Sequence, residues 1–237
     1  MADPVADVGC SPQCGRSLLG DGRAPGGKRG AAGPPSVSRD TTRLVAFSDG
    51  VFAITVTLLV LEIRPPTGDG SLLDGLVDLW PSYLAYAVTL LFIGQVWVNH
   101  HVMFDHIRAA DRLVLLLNTL LLMVVAFLPF ATSVLAEALR SGHDERTAVV
   151  FYGIAFAVTA LTFNAAWQYA RRQRLLSQAL DAAGATAIGR RFQLALAWLA
   201  TSALLGALLP VLGVAAIAAF NAFYWFPIRG ETPRPRH

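Results

Sequence analysis

The chain has 237 residues, of which 54% are apolar and 15% are charged, and its mean hydropathy is +0.51. So apolar a composition excludes a soluble globular domain, which needs more charge to cover its surface. The net charge of +3 is small, and we expect no nucleic-acid partner. The length suits one all-α membrane domain with a short tail.

The first 40 residues are rich in Gly, Pro, Ser and Arg and contain few large apolar groups. They cannot bury enough surface to offset their ordering entropy, so residues 1–40 are predicted to be a disordered cytoplasmic tail. They also lack the apolar core of a secretory signal. Cys10 and Cys14 fall here; without further Cys or His they favour free thiols over a redox or metal site. We expect neither a metal nor a cofactor.

Hydropathy predicts six transmembrane helices within residues 41–228. The first four are expected at about 43–63, 81–104, 113–139 and 147–170. A short acidic segment follows the first, and Pro129 is expected to kink the third. The last two run from after Arg191 to about Phe226, with a tight turn at Pro210, because one apolar helix of that length would overshoot the bilayer. A single long span with a re-entrant piece is the alternative.

Arginine positions predict the orientation of these spans. The N-terminal tail, the loops after spans two and four, and the C-terminal tail at 229–237 hold most of the basic residues, whereas the alternate loops hold few. An even number of spans puts all four basic segments on one side. We therefore expect a multi-pass membrane protein with both termini in the cytoplasm.

The first span contains a carboxylate, Asp49, about one and a half turns from its start. An ionisable group inside a membrane is costly and indicates a functional site. Further along, Ile54, Leu58 and Leu61 recur on one helical face with Thr57 beside them. Phe47, Val51, Thr55 and Val56 are expected on the opposite faces. Periodicity does not say which face meets lipid, protein or water, and an ordinary buried helix remains an alternative.

Polar residues of the next two spans are predicted at a similar depth to Asp49. They are Gln95, Trp97, Asn99, His100, His101 and Asn118. These donors can hold a carboxylate, either to pack the helices together or to fix a functional helix at the cytoplasmic mouth of a pathway. His100 and His101 are adjacent, so their side chains diverge by about 100° and are not expected to share a metal ion.

Several of these residues form motifs. They are Arg43-x-x-x-Phe47-Ser48-Asp49, Trp97-x-x-His100-His101-x-x-Phe104, Asp111-Arg112 with Asn118, and Leu128-Pro129-Phe130. Over about residues 40–228 they resemble the endosomal/lysosomal potassium channels (transmembrane protein 175), in the short bacterial branch with one six-helix unit. The resemblance implies a location in a bacterial inner membrane.

The resemblance implies a homotetramer whose pore is lined by the four first helices. Ile54 would then form a hydrophobic constriction, continued by Leu58 and Leu61, and Thr57 would contribute to cation selectivity. The resemblance implies monovalent cations, chiefly K+, as the permeant species, with weak selectivity in bacterial members. Arg43, Phe47, Ser48 and Asp49 would belong to a signature and clamp holding this helix, together with the polar set above.

Other interpretations remain open from the sequence. Glu62 is either part of an acidic ring at the outer mouth or a solvated helix end. Asp49 with His100 or His101 would also suit a proton-coupled carrier, although no internal repeat supports one. Paired catalytic carboxylates, a metal motif and a nucleophile elbow are absent from the sequence, so we expect no enzyme.

Overall fold

The computed structural model describes residues 37–67 and 70–225, and every regular element in these ranges is helical. The elements are α1 (Val37–Leu59, continued by a 3-10 turn at Val60–Glu62), α2 (Leu72–Asp78), α3 (Trp80–His106), α4 (Arg112–Ser141), α5 (Glu145–Arg172), α6 (Ala182–Leu208) and α7 (Pro210–Trp225). The predicted all-α class is confirmed. The expected C-terminal tail, both cysteines and most of the expected N-terminal tail lie outside the described residues, but positions 37–40 are already helical.

Five helices in the described part of the chain are long and apolar enough to cross a membrane: α1, α3, α4, α5 and α6. The sixth candidate, α7, has 16 residues and is apolar. At 1.5 Å per residue it measures about 24 Å, which is shorter than the roughly 30 Å hydrocarbon core. The chain leaves the helical conformation at Leu209, directly before Pro210, where the sequence predicts a turn.

The structure differs from the prediction in one helix boundary and in one additional helix. The fifth span begins at Ala182 and not after Arg191, because the Asp181 carboxylate accepts a hydrogen bond from the Gly184 amide at 2.8 Å and caps the helix there. The acidic segment after the first span contains the helix α2, which hydropathy does not predict because seven residues are too few to cross a membrane.

The helices differ greatly in how much of their surface the subunit covers. Helix α5 packs on α4, α6 and α7, whereas α1 packs chiefly on α3 and α4. In the most apolar segment of α5, 61% of the residues are buried, against 22% in α1 and 28% in α6. The core therefore centres on α5, and α1 and α6 each leave an apolar face uncovered.

Close glycine contacts hold α6 and α7 together near their turn. A Cβ atom on Gly213 would lie 2.6 Å from the Cα of Gly206 and 2.7 Å from a methyl carbon of Val149 on α5. Only glycine permits this approach, because the obstructing Gly206 atom belongs to the backbone and cannot rotate away. The α6–α7 hairpin thus docks on α5 through a three-helix contact.

We expect Gly213→Ala to lower the free energy of unfolding by about 1–3 kcal/mol, since the added methyl group must push helices apart. Gly94→Ala in α3 is the matched control, because a Cβ there meets nothing within 4 Å. Denaturant titration in detergent micelles measures both. Equal losses for the two variants would contradict the proposed helix contact.

The loops after α3 and α5 are joined at one end of the bundle. Ile107 and Leu176 form an antiparallel bridge, and the Arg108 amide donates to the Leu175 carbonyl at 2.9 Å. Beside it, the Asp111 carboxylate accepts from the Tyr169 hydroxyl at 2.6 Å and from the Val114 amide at 2.9 Å. These bonds hold the pKa of the Asp111 carboxyl below its ordinary value, the Tyr169 hydroxyl contributing most. The two loops, with the arginines at the helix ends beside them, thus share one end of the bundle.

The Asp111–Tyr169 bond predicts a pH-dependent stability. Because the pKa of Asp111 is lower in the folded state, its contribution is present above the unfolded pKa of about 4 and is lost as the pH falls through the folded pKa. We expect Tyr169→Phe to lower the melting temperature at pH 7. The difference from wild type should shrink as the pH falls below about 4 and close as the pH passes the lower, folded pKa of Asp111. Tyr83→Phe, at an exposed position, is the control; a pH-independent deficit in Tyr169→Phe would refute the assignment.

Candidate functional site

A hydrogen-bonded bridge of three buried side chains joins α1, α4 and α3. The Ser48 hydroxyl donates to the Leu44 carbonyl at 2.9 Å and accepts from Asn118 Nδ2 at 3.0 Å. Asn118 Oδ1 then faces His100 Nε2 at 2.9 Å. Ser48, Asn118 and His100 are almost completely buried. We call these three residues the interhelical bridge.

The order of the hydrogen bonds determines which ring nitrogen of His100 donates to Asn118. Since Asn118 Nδ2 donates to Ser48, its Oδ1 must accept, and His100 therefore donates from Nε2. Two aromatic rings enclose the imidazole: Phe52 at 5.5 Å in an edge-on arrangement and Phe104 at 4.5 Å. Phe52 was not among the predicted site residues, although its position one turn after Ser48 on the same face of α1 could have indicated it.

Asp49 lies beside the bridge, nearer the surface of the subunit. Its Oδ1 accepts from the Trp97 indole at 2.9 Å and lies 3.5 Å from His101 Nε2. The other ring nitrogen of His101 faces the Trp97 carbonyl at 3.2 Å, and the Trp97 and His101 rings are 4.7 Å apart. Asp49, Trp97 and His101 form a surface triad that ties α1 to α3 a second time.

Three predicted members of the site lie elsewhere. Asn99 lines a small cavity of about 40 Å³ with Gln95 and Tyr224, on the face of α3 that looks toward α5, α6 and α7. Gln95 Nε2 donates to the Tyr224 carbonyl at 3.3 Å. The prediction that Asn99 and Gln95 join Asp49 is therefore wrong, because depth alone does not fix the direction of a side chain around a helix. Arg43 is exposed on α1.

An exposed stripe runs along the side of α1 opposite the bridge. Its members are Arg43, Ala46, Phe47, Gly50, Ala53, Ile54, Thr57, Leu58 and Leu61. Ile54 is 60% exposed, Leu61 is 71% exposed and Phe47 is 62% exposed. The expectation that Phe47 lies opposite Ile54 is wrong: seven residues span close to two helical turns, so both fall on the same face.

Thr57 lies within the stripe, and Glu62 lies beside its C-terminal end. The Thr57 hydroxyl donates to the Ile54 carbonyl at 2.8 Å, so the lone pairs of its oxygen are what it can offer to a ligand. Glu62 lines a cavity of about 700 Å³ together with Arg64, Arg140 and His143. Glu62 therefore lies against α4 of its own subunit. This is the end of the bundle opposite the two loops that are joined through Ile107 and Leu176.

The site is thus an uncovered apolar helix face whose rotation is fixed by a buried polar bridge, in a protein of long membrane helices. This geometry defines a multi-pass membrane protein in which the first membrane helix keeps an apolar face uncovered. A family profile described as "Endosomal/lysosomal potassium channel TMEM175" matches residues 43–129, which contain the bridge, the triad and the stripe.

The chain is also similar in sequence to named potassium channels and in structure to a solved member of this family. The chain is 44% identical to "Potassium channel B446_29190" of Streptomyces collinus over 65% of this chain and 77% of that protein. It is 42% identical to "Potassium channel Cha6605_3372" of Chamaesiphon minutus over 65% and 78%, respectively. The crystal structure of a lysosomal potassium-selective channel TMEM175 homolog from Chamaesiphon minutus superimposes with a TM-score of 0.72 at 34% identity, over 78% of this chain and 96% of that one.

The chain belongs to the TMEM175 family. The predicted family is confirmed, and with it a multi-pass membrane protein that acts as an ion channel and not as an enzyme.

The bridge predicts a specific loss of stability. Asn118→Leu keeps the volume but leaves His100 Nε2–H without its acceptor, so we expect the free energy of unfolding to fall by about 1–3 kcal/mol. Thr119→Val, at the next and exposed position of α4, should change it by less than about 0.5 kcal/mol. Denaturant titration in micelles compares them; a neutral Asn118→Leu would show that the bridge does not hold α1.

Proposed function

We propose that the chain forms a homotetrameric, weakly selective, potassium-preferring cation channel with the exposed stripe of α1 as its pore wall. The subunit would cross the membrane six times, α7 included, with both termini in the cytoplasm of a bacterial cell. No cofactor is needed beyond the permeant ion. The bacterial relatives are named potassium channels, which supports the preference for K+.

The observation that carries this proposal is the uncovered stripe on a helix that the subunit holds at a fixed rotation. Ile54, Leu58 and Leu61 face away from α3 and α4, while Ser48 and Asp49 on the other side are bonded to those helices. A stripe that merely faced lipid would need no such fixing. A pore wall needs a fixed rotation, because turning the helix about its axis by one residue would replace every side chain that lines the pore.

One subunit has a single stripe of this kind and cannot enclose a path alone. Closed rotational symmetry brings identical stripes together around an axis, which supports a tetramer. Rings of Ile54, Leu58 and Leu61 would then form a hydrophobic neck that gates by dewetting. The Thr57 oxygen, one turn from Ile54, would replace part of the hydration shell of a passing cation.

The two loops joined through Ile107 and Leu176, together with the helix ends beside them, contain Arg108, Arg112, Arg171, Arg172 and Arg174. Their common position supports the proposed orientation, with this end in the cytoplasm. Asp49 and its partners would then act as a structural clamp close to the cytoplasmic mouth and would not line the pore.

A proton-coupled carrier is the competing function, and the contact between Asp49 and His101 is what favours it. His100 suits a relay less well, because Asn118 and two aromatic rings enclose it. Purified protein in a planar bilayer separates the two functions. Stepwise unitary currents support the channel, whereas slow, saturable, proton-dependent flux without unitary steps would replace it with the carrier.

The stripe predicts the effects of two substitutions. Ile54→Asn should hydrate the neck and raise the cation current, because a polar ring opposes dewetting. Thr57→Ala should retain conduction and lower the K+/Na+ permeability ratio about twofold, equivalent to about 0.4 kcal/mol of discrimination. Currents and reversal potentials under K+/Na+ gradients measure both effects.

Thr55→Ala is the matched control for Thr57→Ala. Thr55 is buried, and its hydroxyl donates to the Val51 carbonyl at 2.8 Å on the covered side of α1. Its removal should leave the reversal potential unchanged. An unchanged current in Ile54→Asn together with an unchanged reversal potential in Thr57→Ala would remove the stripe from the pore.

A further inference from the structure

A long apolar groove follows the outer surface of the α6–α7 hairpin. It has a volume of about 860 Å³, and its walls and floor include Leu194, Ala197, Trp198, Leu205, Ala216 and Phe223. From Arg190 to Leu205 the α6 side extends over about 22 Å at 1.5 Å per residue. The groove is thus longer than one leaflet of a bilayer whose hydrocarbon core is about 30 Å thick.

The groove is held in shape by its own aromatic residues. The Trp198 indole donates to the Ala216 carbonyl at 2.9 Å, which joins α6 to α7 across the groove. The Trp198 ring also stacks on Phe223 with 5.7 Å between centroids. Small residues such as Ala197 and Ala216 leave the space between these walls. The groove is therefore preformed, with its polar indole group already bonded within the subunit.

One end of this apolar groove is basic. Arg190 and Arg191 line it there, and none of the described residues that line the groove is acidic. The Arg191 guanidinium lies 5.2 Å from the centre of the Tyr224 ring, and the Tyr224 hydroxyl donates to the Arg191 carbonyl at 2.8 Å. Arg190 is exposed. Two guanidinium groups at the mouth of an apolar channel suit a ligand with an anionic head and a hydrocarbon chain.

We propose that this groove binds an anionic phospholipid, with one acyl chain along Trp198 and the phosphate against Arg190 and Arg191. Basic pockets between membrane helices on the cytoplasmic side recognise such headgroups, and guanidinium groups pair well with phosphate. The choice of the cytoplasmic leaflet rests on the orientation proposed above, but the binding itself does not. Within the subunit, α6 and α7 pack chiefly on α5 and on each other, so the groove lies away from the stripe on α1.

Quenching of Trp198 by brominated lipids tests the proposal directly. The full-length protein is placed in phosphatidylcholine vesicles that contain a fraction of phosphatidylglycerol or phosphatidylcholine with brominated chains. The Trp198 signal is the difference between wild type and Trp198→Phe. We expect brominated phosphatidylglycerol to quench this signal more strongly than brominated phosphatidylcholine at the same fraction.

Arg190→Gln should weaken the preference for phosphatidylglycerol about fivefold, as expected for one arginine near an anionic headgroup. Arg146→Gln, at the exposed opposite end of α5, is the matched control and should leave the preference intact. Native mass spectrometry of the lipids retained by wild type, Arg190→Gln and Arg146→Gln gives the same comparison without the Trp198 variant.

Equal quenching by the two lipids, or an unchanged preference in Arg190→Gln, would overturn the proposal. Quenching by neither lipid would overturn it as well, and would indicate that a second copy of the chain covers the groove. None of these measurements uses ion currents, so their outcome is separate from that of the channel proposal.

Discussion

The buried hydrogen-bonded bridge between Ser48, Asn118 and His100 is the constraint on which the arrangement of α1 depends. These three groups lie in an apolar interior, where a polar group without a partner costs roughly 1–3 kcal/mol. The hydrogen bonds between them form only when α1, α3 and α4 each have one rotation about their own axis and one depth in the bundle. Because the bridge occupies one side of α1, the opposite side is committed to the apolar stripe that contains Ile54.

Two of the apolar faces that the described residues leave uncovered differ in their chemistry. The stripe on α1 is apolar along its middle, with one hydroxyl at Thr57, and suits a neck that is repeated around an axis. The groove on α6 and α7 is apolar but ends at Arg190 and Arg191, and suits a lipid. Both faces exist because the core is built around α5, which leaves α1 and α6 with the fewest buried residues.

Individual residues show which sequence-based predictions agree with the structure and which do not. Hydropathy predicted six spans, and five helices in the described part of the chain have the length and composition for one. The turn before Pro210 followed from the length of the last apolar run, and the family followed from the motifs around Asp49. Phe47 was placed on the wrong face, although the helical period alone would have put it with Ile54. Asn99 was grouped with Asp49 because both lie at a similar depth, but it is adjacent to His100 and points about 100° away from it.

The sequence by itself determined the class, the family, the long apolar helices and the set of polar residues from which the site is drawn. Those properties belong to single segments, so composition and period are enough to reveal them. The tertiary structure alone decided which polar residues meet, which side of α1 stays uncovered and where α6 and α7 form a groove. Ser48 and Asn118 are 70 residues apart in the chain, and only the packing of separate helices brings such positions within hydrogen-bonding distance.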